Sequence, residues 1–302
     1  MKHERLIVNY RKNKLLYWMI LPVLAYVLVF NYIPMLGLTM AFQNYSITRG
    51  IFGSKWIWFQ NFSDFFNGLY FQRTLGNTLL ISLYSMLFAF PAPIIFALML
   101  NEVRHTGFKK VVQTISYMPH FISIIVVVGL INEFTNTNGI IAQIVQALGG
   151  TPHNYVNDPS SFRSVFITSE IWQEVGFQSI IFLAALSGVS EELYEAADLD
   201  GAGKIAQLFH ITIPSIASTI IIMFILRCGM LMTVNFEKVL LMYSPATYET
   251  ADVIQTYVYR IGIIKQKIGY STAVGLFNSV IGLLLIITAN GLSRKYTDIS
   301  MF

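Results

Sequence analysis

The residues best equipped for chemistry in this 302-residue chain interrupt its most apolar stretches. Glu170, Trp172, Gln173, Glu174 and Gln178 fall in one such run, Arg227, Asn235, Glu237 and Lys238 in a second, and Asn278, Ser279 and Asn290 in a third. Amides and carboxylates can hydrogen-bond a hydroxyl-rich ligand. The rings of Trp172, Phe177, Phe236 and Phe277 can cover its apolar faces. Such polar groups are costly in an apolar medium and normally face a helix-bundle interior or a wet cavity. Hydrogen bonding between helices explains any one of them, while their concentration in three runs favours a shared polar path. Catalytic machinery is missing. His3, His105, His120, His153 and His210 are scattered without metal spacing, and there is no Gly-x-Ser-x-Gly elbow. Gly201-Ala-Gly-Lys204 fails as a phosphate loop. Asp198 stands where the first glycine belongs, and Ile205 replaces the hydroxyl that would ligate magnesium. An enzyme reading is poor, and no cofactor is expected in this chain.

The elements that must hold these groups are membrane spans. The chain is 55% hydrophobic and 12% charged, where soluble domains carry about 25% charge. The expected fold class is therefore an all-α integral membrane protein. No basic patch interleaved with aromatics supports nucleic-acid binding. The single cysteine, Cys228, lies in an apolar run and reads as packing. The length rule of about 20 apolar residues gives six transmembrane helices, at about 15–38, 74–100, 112–132, 165–188, 215–243 and 271–292. Pro91 and Pro93 suggest a kink in the second. The first apolar run is too long for a signal peptide and is not closed by a cleavage site, so it reads as an uncleaved span. The whole chain, 1–302, is read as one domain.

Basic residues set the orientation. The N-terminal tail (Lys2, Arg5, Arg11, Lys12, Lys14), the loop with Arg104, Lys109 and Lys110, and the tail with Arg294 and Lys295 fall on one side of a six-span arrangement. Both termini are then cytoplasmic. Arg49, Lys55, Arg73, Arg163, Arg260, Lys265 and Lys267 in the opposite loops weaken this bias.

Between the fourth and fifth spans lies an acidic segment, 189–214. Ser190 can cap a short helix that opens with Glu191 and Glu192 at the positive end of its dipole. Leu193, Ala196, Ala197 and Asp200 share one face. Gly201 sits where a left-handed cap is needed. A second short helix is expected over about 202–210, and Pro214 suits the opening of the next span. On composition alone this is either a solvated connector or a docking surface. The pattern Glu195-Ala196-Ala197, Gly201, Ile211, Ile213, Pro214 resembles the cytoplasmic signature loop of permease subunits of binding-protein-dependent ABC importers. Ile213 replaces the more usual leucine. The resemblance implies a coupling helix in which Glu195, Ala196, Ala197, Asp200 and Gly201 meet an ATPase subunit.

Further stretches, Asn31-Tyr-Ile-Pro-Met-Leu-Gly37, Ala41-Phe-Gln-Asn-Tyr45, Gly50-Ile-Phe-Gly53 and Asn61-Phe62, resemble the LplB-like polysaccharide branch of the sugar permeases. That likeness implies an oligosaccharide substrate. It also implies a second homologous permease, usually as a heterodimer, two ATPase subunits that bind ATP and magnesium, and an extracellular solute-binding protein. The place implied is the bacterial cell membrane. Asn235 matches a fifth-span asparagine that lines the sugar site in such permeases. Asn278, Trp172, Gln173, Phe177 and Phe236 join the expected substrate path by position and polarity. The aromatic-rich segment 43–73 reads either as an interfacial belt or as a partner surface. A short helix is expected at about 139–148. An ion-coupled secondary transporter and a membrane scaffold remain the rival readings, and neither needs an accessible acidic loop of this pattern.

Overall fold

A computed structural model describes residues 13–297. Its Cα packing forms two compact units, residues 13–66 with 261–276 and residues 67–260 with 277–297.

The first unit opens with helix α1, Lys14–Phe42. Its α-helical start passes through a π turn at Leu28–Tyr32 into a 3-10 stretch, Ile33–Phe42. Two two-residue strands follow, β1 (Gln43–Asn44) and β2 (Lys55–Trp56), paired antiparallel with Gln43 opposite Trp56. This hairpin is a small exception to the all-α expectation. Asn61, on helix α2 (Gln60–Phe66), pins it by donating to the carbonyls of Ala41 (2.8 Å) and Gln43 (3.1 Å). The aromatic segment divides by role. Phe65 is buried and meets Tyr270 edge-on, while Phe52, Trp56, Trp58 and Phe59 stay exposed.

The second unit begins with α3, Phe71–Glu102. The run does not stop at its prolines. A π turn at Ser85–Ala89 precedes Pro91, which starts the next helical turns, where its missing N–H is tolerated. Helix α4 (Thr106–Tyr117) ends in a 3-10 turn at Met118–Phe121 before α5 (Ile124–Thr135) begins. The expected continuous span at 112–132 is therefore broken. Pro119 supplies no N–H, and Ile122 and Ser123 are extended. A short helix, α6 (Ile140–Ala147), forms where expected. Next comes the 25-residue α7 (Phe162–Leu186), which packs along α3 and α4. Gly176 of α7 lies so close to Ser116 that a Cβ would collide with its carbonyl.

The acidic helix α8 (Glu191–Leu199) is followed by the helical run α9 (Lys204–Ser215) and, after a 62° bend, by α10 (Ala217–Gly229). Pro214 falls at the end of α9 rather than at the opening of the next helix. The break comes at Ile216. The expected span 215–243 is also interrupted. Helix α10 ends at Gly229, Met230–Asn235 is irregular, and α11 restarts at Phe236–Met242. Short helices α12 (Tyr248–Ala251) and α13 (Ile254–Tyr259) lead to the long α14, Ile268–Thr297. Four helical runs among the described residues are long and apolar enough to cross a membrane: α1, α3, 124–147 with its turn, and 268–295. The bent pair 204–229 makes a fifth. The core of the second unit centres on Ile81, Val127, Phe162, Phe166, Val239 and Val253.

Candidate functional site

The acidic loop is built as a braced, exposed ledge. Helix α8 starts after Ser190, whose backbone is extended as a cap requires, but the Ser190 hydroxyl makes no capping hydrogen bond. Glu191 and Glu192 alone answer the helix dipole in the first turn. The C-terminus follows the expectation for Gly201. Its φ is +76°, its N–H donates to the Asp198 carbonyl (3.1 Å), and Ala202 N–H donates to Ala197 (2.8 Å). These are the two bonds of a Schellman cap. Side chains lock α8 to α9. Buried Gln207 donates to Asp198 Oδ1 at 2.5 Å and accepts from Lys204 at 3.2 Å, and Tyr194 and Thr212 share a hydroxyl bond of 2.9 Å. Glu195, Ala196, Asp200 and Gly201 are exposed and Ala197 is half-buried. Around them Leu193, Leu199 (90% exposed), Ile205 (75%) and Phe209 also face outward. Four large apolar side chains beside carboxylates form a surface suited to a protein partner.

The polar residues of the long helices converge on a cavity of about 220 Å³ lined by α3, α7, the irregular segment 230–235 and α11. Ser82 and Ser85 reach it from α3, and Ser85 lies in the π turn, a distortion common at functional sites. Glu170, Gln173, Glu174 and Gln178 come from α7. Arg227 pairs with Glu170 at 2.5 Å and also donates to Ser85, whose hydroxyl is 2.9–3.0 Å from both Glu170 oxygens. Glu174 meets His120 at 2.9 Å. Non-helical backbone at membrane depth needs protein or water partners. Here Ser82 donates to the Leu231 carbonyl, and Asn278 donates to Met232 at 3.0 Å.

The residues proposed from sequence for the substrate path separate on this geometry. Gln173 and Asn235 line the cavity. Asn235 also caps α11 by accepting from Lys238 N–H at 3.1 Å. Asn278 is not among the lining residues. It is buried and holds the broken backbone. Trp172 lines a separate apolar cleft with Ile131, Phe134 and Tyr155. Phe177 stacks on His120 at 3.8 Å, and Phe236 packs against Tyr259. Sequence reasoning named Gln178 with Glu170 but left out Ser82 and Ser85. The small hydroxyls carry no distinctive signal until α3 is placed beside α7.

A second polar cluster went unread. Asp252 is fully buried and receives Arg260 through both oxygens (2.5 and 3.1 Å), Arg73 (3.2 Å) and the Thr256 hydroxyl (2.9 Å). Asn77 donates to the carbonyls of Glu249 and Asp252 and accepts from Arg163 at 2.8 Å. Three arginines read as loop charges are thus engaged in a protein-internal network. Burial works against the Arg260 charge, but its bonds to Asp252 outweigh that and hold its pKa above the ordinary value. In the loop before α7, the Ser160 hydroxyl and N–H lower the pKa of half-buried Asp158.

Comparison with known proteins follows the same lines. The family described as "Binding-protein-dependent transport system inner membrane component" matches residues 89–298. The chain is 43% identical to Protein LplB of Bacillus subtilis strain 168, over 97% of this chain and 92% of that protein. It is 41% identical to the polygalacturonan/rhamnogalacturonan transport system permease protein YteP of the same strain, over 98% and 93%. Among solved structures it resembles a chain of a bacterial ABC transporter involved in the import of the acidic polysaccharide alginate (TM-score 0.91, 41% identity, 97% of this chain and 99% of that one). A second match, at TM-score 0.92 and 41% identity over 98% and 100%, is to a chain of a bacterial alginate ABC transporter in complex with an alginate pentasaccharide-bound periplasmic protein.

Proposed function

Because this chain belongs to the family of binding-protein-dependent transport system inner membrane components, we propose that it is the membrane-spanning permease subunit of an ABC importer for oligosaccharides. A binding protein outside the cell delivers the sugar. The permease passes it inward, and two separate ATPase subunits, which hold ATP and magnesium, drive the cycle. A second homologous permease completes the path. The chain crosses the bacterial cell membrane six times with both termini in the cytoplasm. Spans three and five are broken, and α7, which carries Glu170 and Glu174, is the fourth. The polysaccharide-handling relatives support an oligosaccharide as the cargo. Gln173 and Asn235, at the polar cavity, are the side chains offered to its hydroxyls.

The observation that carries this reading is the α8 ledge. It is exposed, ends in a full Schellman cap, and is braced to α9 through Asp198 and Gln207. A rigid surface of this kind transmits a push from an ATPase subunit to the bent α9–α10 pair, and so to the segment that lines the cavity. The test is Gly201→Val. A β-branched residue is strained at φ +76°, so the variant should reach the membrane and accept the binding protein, yet lose sugar uptake or ATPase association. Normal uptake and normal pull-down of the ATPase by the same preparation would reduce the loop to a connector.

A further inference from the structure

Among the described residues that line the cavity, Lys238 is the cation with no carboxylate in contact, and Glu170 and Glu174 act on it only at longer range. It is 1% exposed and lines the polar space, one turn after Asn235. Asn235 Oδ1 holds the Lys238 N–H, which fixes the root of the side chain. Among the described residues no carboxylate lies within 4 Å of its ammonium. Glu170 is committed to Arg227 and Ser85, and Glu174 to His120. Nζ has a long bond of 3.4 Å to the Phe166 carbonyl and stands 5.1 Å from the centre of the Phe166 ring. An ammonium has three N–H donors, so most of its bonding capacity remains open, and a buried charge in that condition is costly until a counter-charge arrives.

Resting on the importer reading above, we infer that Lys238 is the carboxylate-reading residue of the cavity, and that the transported oligosaccharide contains uronate sugars. The sugar carboxylate supplies the contact partner that Glu170 and Glu174, bonded to Arg227 and His120, do not. Gln173 and Asn235 beside it serve neutral hydroxyls. Arg227 cannot take the same part without giving up Glu170.

The experiment uses the complete complex with its binding protein in liposomes. ATP-driven uptake is measured for oligosaccharides of galacturonate, mannuronate and guluronate, each beside its methyl ester, and for a neutral glucan series. At least one acid form should be imported well and its ester poorly. Lys238→Met and Lys238→Gln should reduce import of that acid form about 10- to 100-fold, the scale of a lost hydrogen bond to a charged group. Lys238→Arg should retain it. Preference for neutral sugars, or equal loss of acid and ester in the variants, overturns the inference and leaves the importer reading standing. Failure of both Met and Gln variants to copurify with the ATPase makes the ammonium structural and also overturns it. Absence of ATP-driven uptake for every sugar defeats the importer reading itself.

Discussion

Asp252 shows how a single buried side chain organises residues far apart in sequence. Arg73 lies 179 positions away and Arg260 only eight, yet both converge on its carboxylate. Removing one partner of a buried ion pair costs about 3–5 kcal/mol because the remaining charge is stranded. Arg73 and Arg260 keep partial exposure, so the lower end of that range is the better expectation. Asp252→Ala should lower stability in detergent by about 3 kcal/mol, and Thr256→Val, which removes one hydrogen bond, by about 1 kcal/mol. Thermal melting of the purified complex reads both. Equal, small shifts would mean that the arginines find water when the carboxylate is gone. Arg73, Arg163 and Arg260 are committed to Asp252, Asn77 and backbone carbonyls.

At the scale of elements, the second unit is held by close helix contacts and is interrupted where it must be wet. Helices in lipid gain little from hydrophobic burial and depend on packing, which favours small residues at their contacts. Gly176 is such a residue on α7, against Ser116. Gly229 marks the end of α10, where a Cβ would press on Ile286 at 2.9 Å. Gly176→Ala should therefore destabilise by about 1–3 kcal/mol through overpacking against backbone. Gly129→Ala on α5 meets no atom within 4 Å and should be neutral or slightly stabilising. Detergent melting of the two variants side by side distinguishes them, and matched behaviour would contradict the close contact. The irregular stretch 230–235 follows the same economy. The Leu231 and Met232 carbonyls are served by side chains from other helices, Ser82 and Asn278, and the Met230 carbonyl by a turn to Thr233 N–H.

For the molecule as a whole, the arrangement proposed above makes a topological prediction. Single cysteines at Thr106 and Thr297 should be reached by a membrane-impermeant thiol reagent only after the cells are opened. Cysteines at Lys55 and Thr151 should react in intact cells. All four positions are exposed, and Thr297 ends α14. Cys228 is buried and is replaced by alanine beforehand. Labelling of position 106 from outside would overturn six spans with cytoplasmic termini. Of the basic N-terminal residues that helped set this orientation, Lys2, Arg5, Arg11 and Lys12 lie outside the described residues, as does His3, and Lys14 opens α1.

Much of the local structure could be read from residue order because it is decided by neighbours. The two carboxylates at the start of α8, the glycine that ends it and the apolar length of α1, α3 and α14 act through interactions a few residues long, so the sequence alone determined them. The acidic loop was legible for that reason, although the Ser190 hydroxyl does not cap and the lock between Asp198 and Gln207 had to be seen. Membership of the polar path was only partly legible. Polarity identifies Asn235 and Asn278 alike, but one lines the cavity and the other holds a broken backbone. The interruption at 230–235 left no mark in composition, since its apolar residues suit a helix as well as a loop. What opens that helix is the supply of hydrogen bonds from Ser82 and Asn278, and that supply exists only once the distant helices have packed together. Tertiary structure therefore decided where the chain leaves the helix, which charges are paired, and which cation remains to meet a ligand.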